Sequence, residues 1–546
     1  MRPSLVRTGL FCMSCFLASC QDEPIAAPPN STCNANAVHV GRAPLRRLTR
    51  VQYTNVVHGL FPDAQLPAFH LPDETIARGF ENNADVQNPS AVLIEAYYHT
   101  ARGVVAAAMV KPENVAPCLA GGGDATACGN ELIRDFGRRA YRRPLTPAEM
   151  DRYAALFALG MAEPDGLRVG ASLVLEAMLQ SPAFLYVPEF GNTESSPNAP
   201  DVALTSHELA ARLALFLWDD LPDEELSIAA DANAFTDPAV LKWQALRMLD
   251  DPRARAMVRS FHRQWLDLGR LEKVSKDPAT FPTWNAELRA SMREETLAFV
   301  EDTVFDGAGT LPELLTGTTT RINGPLAELY GVAAPAKDWD NVTLDATERA
   351  GLLTLPGILA AHGHPVQPSP VLRGVFVLER LLCAPPPAPP PGVETNIDPA
   401  GSGNEPQTNR ERYAAHVTNA ACASCHASID GAGFPFEPYD SIGRYRTTDN
   451  GFPVDSSGEL RGFDNAGPVA NAVELARRLA QSEDVRLCVT KQWFRYAFGH
   501  IEEAGDQCPI ESFSQQFSST GGDVRELIME LIMSHGFSYR PKGSGT

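Results

Sequence analysis

Positive charge is scarce in this 546-residue chain: 46 Lys and Arg stand against 67 Asp and Glu, a formal net charge of −21. Phosphate backbones are bound by clustered Lys and Arg. The balance therefore excludes nucleic acid as a partner, and the acidity reads as a solvated surface. Long apolar runs are lacking as well, since no segment beyond the N-terminus offers the ~18 uninterrupted apolar residues that crossing a bilayer takes. Strand signals are few and short, and no internal repeat is present. Hydrolase and nucleotide signatures are missing too: there is no G-x-S-x-G, no H-E-x-x-H, no P-loop and no G-x-G-x-x-G. His207-Glu208 has no second His four residues on. Glu437 and Asp440 are spaced to work as acid and base, but carboxylates so placed more often hold a loop together.

The front end reads MRPSLVRTGLFCMSCFLASC, with Arg2 and Arg7 before an apolar core from Leu10 to Leu17. That core is too short to span a bilayer, so residues 1–19 are expected to be a signal peptide. Leu17-Ala18-Ser19-Cys20 resembles the lipobox of bacterial lipoproteins, which implies cleavage before Cys20 and lipid on its thiol. Residues 20–41 then form a tether. The expectation is an exported chain, lipid-anchored to a bacterial membrane in the periplasm or at the cell surface.

Export makes disulfides the natural state of spare cysteines. Setting aside Cys12, Cys15, Cys20, Cys422 and Cys425 leaves Cys33, Cys118, Cys128, Cys383, Cys488 and Cys508. Six cysteines allow fifteen pairings. Cys118 and Cys128 flank GGGD, and Cys488 and Cys508 flank FGH, so each suits a short loop. Elimination then leaves Cys33 for Cys383.

Helical patterns dominate, and the fold class is expected to be mainly α. In RPLTPAEMDRYAALF, Thr146 is an N-cap, Pro147 stands at N1 and Glu149 at N3, with Met150, Tyr153 and Phe157 on one face. Thr205 and Glu208 repeat the capping box ahead of Leu209, Leu213 and Leu217. Met257, Phe261 and Trp265 are spaced four apart, and Val524, Leu527, Ile528 and Leu531 form another apolar stripe. Six prolines in the seven residues 385–391 favour a polyproline II spacer. Further breaks fall at 191–200 and at the glycines 121–123.

After the proline spacer, Thr408 and Glu411 frame a helix that leads into Cys422-Ala423-Ser424-Cys425-His426. C-x-x-C-H is the attachment pattern of haem c. Thiols three positions apart reach both vinyl groups of a porphyrin, and the adjacent imidazole, His426, becomes the proximal iron ligand. A structural zinc site needs a second ligand pair, and outside the signal peptide, which holds Cys12 and Cys15, no other CxxC or HxxxH exists. A thioredoxin-type dithiol would follow a strand of a βαβ unit, not a proline spacer.

Nearly the whole chain resembles the secreted multidomain proteins built around domain of unknown function 1592, with companions 1587, 1595, 1588 and 1585. The likeness runs through LRRLTRVQYTNVVHGLF, FGRRAYRRPLTPAEMDRY, LTSHELAARLALFLWDDLPDEEL to INGPLAELYG, RAGLLTLPGILAAHGHPVQPSPVLRGVFVLERLLCAPPPAPPPGV with the CASCH stretch, and FGHIEEAGDQC to SHGFSYR. Relatives usually read Asp-Pro-x-Gly-Phe where Asp430-Gly431-Ala432-Gly433-Phe434 stands, a change to a loop and not to the ligands. They commonly carry a His at the place of His416, which the resemblance makes the candidate sixth ligand; His362, His364, His500, Met529, Met533 and His535 are its rivals.

The expected organisation is a helical module over 42–120, a second over 128–192, a central domain over 200–345, and a module over 346–404 ending in the proline-rich linker. A cytochrome-c-like haem domain over 405–546 completes it. The expected function is a c-type cytochrome with one covalent haem c, passing electrons between the haem and a partner protein or small donor or acceptor. Two alternatives stand beside it: a helical envelope scaffold with accessory haem, and a peroxidase-like haem oxidoreductase.

Overall fold

The stripes and caps written into the sequence become helices in the computed structural model, which describes residues 41–121, 123–192, 199–388, 407–418 and 420–542. The fold is mainly α, and among the described residues the strands are two to four residues long and joined as antiparallel pairs. Thr146 and Glu149 close a capping box on helix Pro147–Gly160, and Thr205 and Glu208 close one on Ser206–Leu217. Met257, Phe261 and Trp265 are buried on helix Pro252–Trp265, as are Val524, Leu527, Ile528 and Leu531 on Val524–Met533.

Apolar burial gathers these helices into two main cores. Residues between Leu48 and Val187, joined by Leu215, build the first, where Tyr53 packs against Tyr97 and Phe184 at ring-centroid distances of 4.9 and 5.8 Å. The second joins the central helices to the C-terminal ones. Its centre is Phe261 stacked on Trp493 of helix Glu483–Phe498, with centroids 3.7 Å apart and planes 10° from parallel.

Two short strand pairs fasten segments remote in sequence. Arg46–Arg47 pairs with Tyr186–Val187, and Asp201–Ala203 with Tyr539–Pro541. A buried ion network sits between them. The Arg212 guanidinium donates to both carboxylate oxygens of Glu189, at 2.8 and 2.5 Å, and to the carbonyls of Gly536 and Phe537. Arg46 reaches the same Glu189 carboxylate at 3.1 Å, and the two guanidiniums hold it below the usual carboxylate range against the cost of burial. Such a pair adds little net stability, but removal of one partner leaves an uncompensated buried charge.

The disulfides correct the loop-based pairing. Cys118 bonds Cys128, but Cys383 bonds Cys488, with Cα atoms 5.4 Å apart. Cys508 is disulfide-bonded as well, and not to Cys488. Cys488 lies mid-helix with its sulfur toward the Arg380 carbonyl, alongside the turn Val377–Leu381. Helix–turn packing thus sets the pairing, and separation along the chain does not. Cys20 and Cys33 lie outside the described residues, as does the signal-peptide reading. No helix among the described residues is long and apolar enough to cross a membrane.

Candidate functional site

Two helices build the Cys–His stretch. The first, Asn409–Thr418, starts at Thr408, whose hydroxyl accepts the Glu411 amide at 3.2 Å while the Glu411 carboxylate accepts the Thr408 amide at 2.8 Å. The second, Ala420–Gly433, carries Cys422, Cys425 and His426. Positions i, i+3 and i+4 of a helix share a face, so the two thiols and the imidazole project together. Both cysteines are half-buried and neither forms a disulfide.

One turn further on, Asp430 is on the same face. The His426 Nδ1 lies 3.1 Å from the Asp430 carboxylate, the imidazole 20% exposed and the carboxyl 2%. Burial raises the Asp430 pKa, and the bond to His426 opposes that rise. The second carboxylate oxygen is buried without a hydrogen-bond partner. A carboxylate on Nδ1 fixes the tautomer that presents Nε2 as ligand, the usual outer-shell arrangement of metal-binding histidines. Two thiols three apart and a histidine so held fit the attachment pattern of haem c, which Cys422, Cys425 and His426 would hold.

The Cys–His helix is seated by glycines and one arginine. It crosses helix Pro370–Phe376 at van der Waals contact of the backbones: a Cβ on Gly433 would meet the Pro370 oxygen at 1.9 Å, and one on Gly374 the Ile429 oxygen at 2.0 Å. The Cys–His helix is therefore packed against the element that precedes the proline linker. Buried Arg373 donates to the carbonyls of Phe436, Tyr439 and Asp440, at 2.9, 2.8 and 2.7 Å, and so shapes the turn after the helix. Burial pushes its pKa down to about 10.

Glu437 and Asp440 hold that turn. Glu437 accepts two hydrogen bonds from the Asn409 amide, at 2.8 and 3.0 Å, and burial pushes its pKa up to about 7. The Asp440 carboxylate accepts the amides of Ile442 and Arg444, both at 2.9 Å.

The sixth-ligand candidates fall in different places. His416 is on helix Asn409–Thr418, packed beside the Cys–His helix, and its side chain is outside the described residues. His362 is buried, its Nδ1 donating to the Ile358 carbonyl at 2.9 Å, and burial lowers its pKa to about 3. The backbone carbonyl of His364 accepts from buried Lys276 at 3.2 Å. His500 donates to the Ile501 carbonyl, and its Nε2 is buried without a partner. Met529 belongs to the larger core and Met533 packs against it. His535 stacks on Tyr539 at 3.9 Å and pairs with Asp201 at 3.3 Å. No group of three or more His, Cys, Asp or Glu among the described residues forms a metal cluster.

Asp430 lies on the last turns of the Cys–His helix and not in a loop as expected, and neither it nor Arg373 was a site candidate in the sequence. Asp430 carried a signal, four residues after His426 on a helix. Arg373 carried none, because its partners are backbone carbonyls.

Five family descriptions match the chain in succession, each a protein of unknown function: DUF1587 over residues 46–110, DUF1595 over 128–189, DUF1592 over 204–332, DUF1588 over 349–449 and DUF1585 over 467–537. The DUF1588 match runs across the proline linker and takes in the Cys–His helix, in step with the packing of that helix on Pro370–Phe376. No curated protein and no solved structure matches the chain. The chain belongs to the multidomain family assembled from these five modules of unknown function.

Proposed function

We propose that helix Ala420–Gly433 carries one covalent haem c on Cys422 and Cys425, with His426 as proximal ligand, in an exported, lipid-anchored electron-transfer protein of the bacterial envelope. The observation that carries this reading is the shared face of the two thiols and the imidazole, with the imidazole Nδ1 held by Asp430. When bound, the haem supplies one-electron chemistry at its iron. The chain's own part is positional. The Cys422 and Cys425 sulfurs would hold the haem, Asp430 keeps the proton on His426 Nδ1, and the backbone crossing at Gly374 and Gly433 keeps the helix in place. His416, on the neighbouring helix, is the proposed sixth ligand. The electrons come from and go to a partner protein or a small donor or acceptor, and Cys20 carries the lipid that keeps the chain at the membrane.

The test is a spectroelectrochemical titration of protein made with an active cytochrome maturation system. A reversible one-electron haem wave, lost in Cys422→Ala/Cys425→Ala, supports the reading. Colourless protein from the same cells would sink it.

A further inference from the structure

A cleft of about 200 Å³ opens where three modules meet, lined by none of the Cys–His helix residues. Gly59 comes to it from the first module, Arg138, Arg139 and Arg142 from the second, and His207 and Asp220 from the central one. Helix Ala125–Tyr141 presents Arg138 and Arg139, and Arg142 follows as its C-cap in the left-handed region, φ +59°.

Charge is unbalanced there. Arg138 bonds Asp231 through two nitrogens, at 2.9 and 2.5 Å, and His207 Nε2 lies 2.9 Å from the same carboxylate. One carboxylate thus serves both Arg138 and the His207 ring. The Asp220 carboxylate accepts the Leu221 amide at 2.7 Å and its charge also acts on Arg139, which among the described residues leaves Arg142 as the cleft's cation without a carboxylate partner. Arg139 makes one described hydrogen bond, to the Gly59 carbonyl at 2.5 Å. Arg142 is only 6% exposed, and its described partners are the carbonyls of Ala140, Ala183, Phe184 and Tyr186, at 2.7 to 3.3 Å. Among the described residues no carboxylate is within ion-pair distance of it, and burial lowers its pKa to about 10. A buried cation without a counter-charge is costly.

We propose that this cleft binds a small molecule through its oxyanion group, a carboxylate or phosphate, with Arg139 as the principal donor and buried Arg142 as the fixed positive charge beneath it. A guanidinium presents two parallel N–H groups that match both oxyanions. Arg139 keeps donors beyond the one that reaches Gly59. Three modules wall the cleft, so the ligand bridges them, and its binding free energy adds to the stability of the joined state.

The test is calorimetry and thermal unfolding of the full chain with inorganic phosphate and, separately, with glucuronate. Saturable binding of either, with a rise in Tm, is the expected result, and the tighter of the two distinguishes a phosphate-bearing ligand from a sugar acid. Arg139→Gln should weaken binding at least tenfold. Arg134→Gln, which alters an exposed arginine paired with Asp135 outside the cleft, should leave it unchanged. Should Arg139→Gln fail to fold, phenylglyoxal footprinting of the wild type replaces it: the bound anion protects Arg139 while Arg134 stays reactive. No saturable binding of either anion, equal binding by Arg139→Gln, or equal labelling of Arg139 with and without anion overturns the proposal.

Discussion

Asp430 and Glu295 are both buried carboxyls, and their surroundings give them opposite tasks. Asp430 accepts from the His426 imidazole, which raises the basicity of the ring and favours the ferric iron it is proposed to bind. Asp430→Asn weakens that bond. The variant should keep covalent haem and show a higher reduction potential, by about 60 mV for each tenfold loss of ferric preference. A potential equal to the wild type's would remove Asp430 from the tuning of the site.

Glu295 is fully buried. One of its oxygens accepts from Tyr330 and Thr320, the other has no partner, and burial raises its pKa to about 8. An unfolded Glu titrates near 4.3 (about). Between these values the folded chain holds a proton that the unfolded chain has released. Stability therefore falls as pH rises across that window, by at most ~1.4 kcal/mol per pH unit, and levels off above it. Asp219 and Glu437, each raised to about 7 by burial, act in the same direction. Glu295→Gln cannot ionise, so its Tm should gain on the wild type between pH 5 and pH 8. A constant Tm difference would show that Glu295 is not the protonated acid described.

At the scale of elements, the crossing of Pro370–Phe376 with Ala420–Gly433 depends on missing side chains. Gly433→Ala puts a methyl group on the Pro370 carbonyl, and overpacking of this kind costs ~1–3 kcal/mol. Gly269→Ala meets no atom within 4 Å and should be close to neutral. Denaturant midpoints of the two variants measure the contrast, and equal midpoints would refute a tight crossing. Helix starts were legible in the sequence because a capping box is local: Thr146 with Glu149, Thr205 with Glu208 and Thr408 with Glu411 each need only four consecutive residues. The crossing was not legible, since a glycine that admits a neighbouring backbone looks in sequence like any other glycine.

The same distinction governs the disulfides. Cys118 and Cys128 are joined within one stretch, as their spacing suggested, whereas Cys383 and Cys488 are brought together by the packing of a turn along a helix. Non-reducing peptide maps should contain a Cys383–Cys488 cross-link and none between Cys488 and Cys508. Removal of that 105-residue link should cost ~2–4 kcal/mol of stability. A Cys488–Cys508 peptide would contradict the pairing.

At the scale of the whole molecule, two-residue and three-residue strands fasten the start of the first module to the end of the second, and the start of the central module to the C-terminal segment. Strands so short leave no alternation to read, and the Arg46–Glu189–Arg212 network beside them joins charges that sequence cannot pair. Composition and periodicity sufficed for a mainly α chain; tertiary contact was needed to see which module supports which. The candidate site shows the same division. Cys422, Cys425 and His426 were legible as a motif, and the support from Gly374, Gly433 and Arg373 became visible only once Pro370–Phe376 was laid against the Cys–His helix. That helix is the centre of the account. Peptide mass spectrometry of protein purified from cells with an active maturation system tests it most directly: the peptide spanning Cys422 to His426 should carry the full mass of one haem through two thioether bonds. The same peptide recovered with both thiols unmodified would contradict the account.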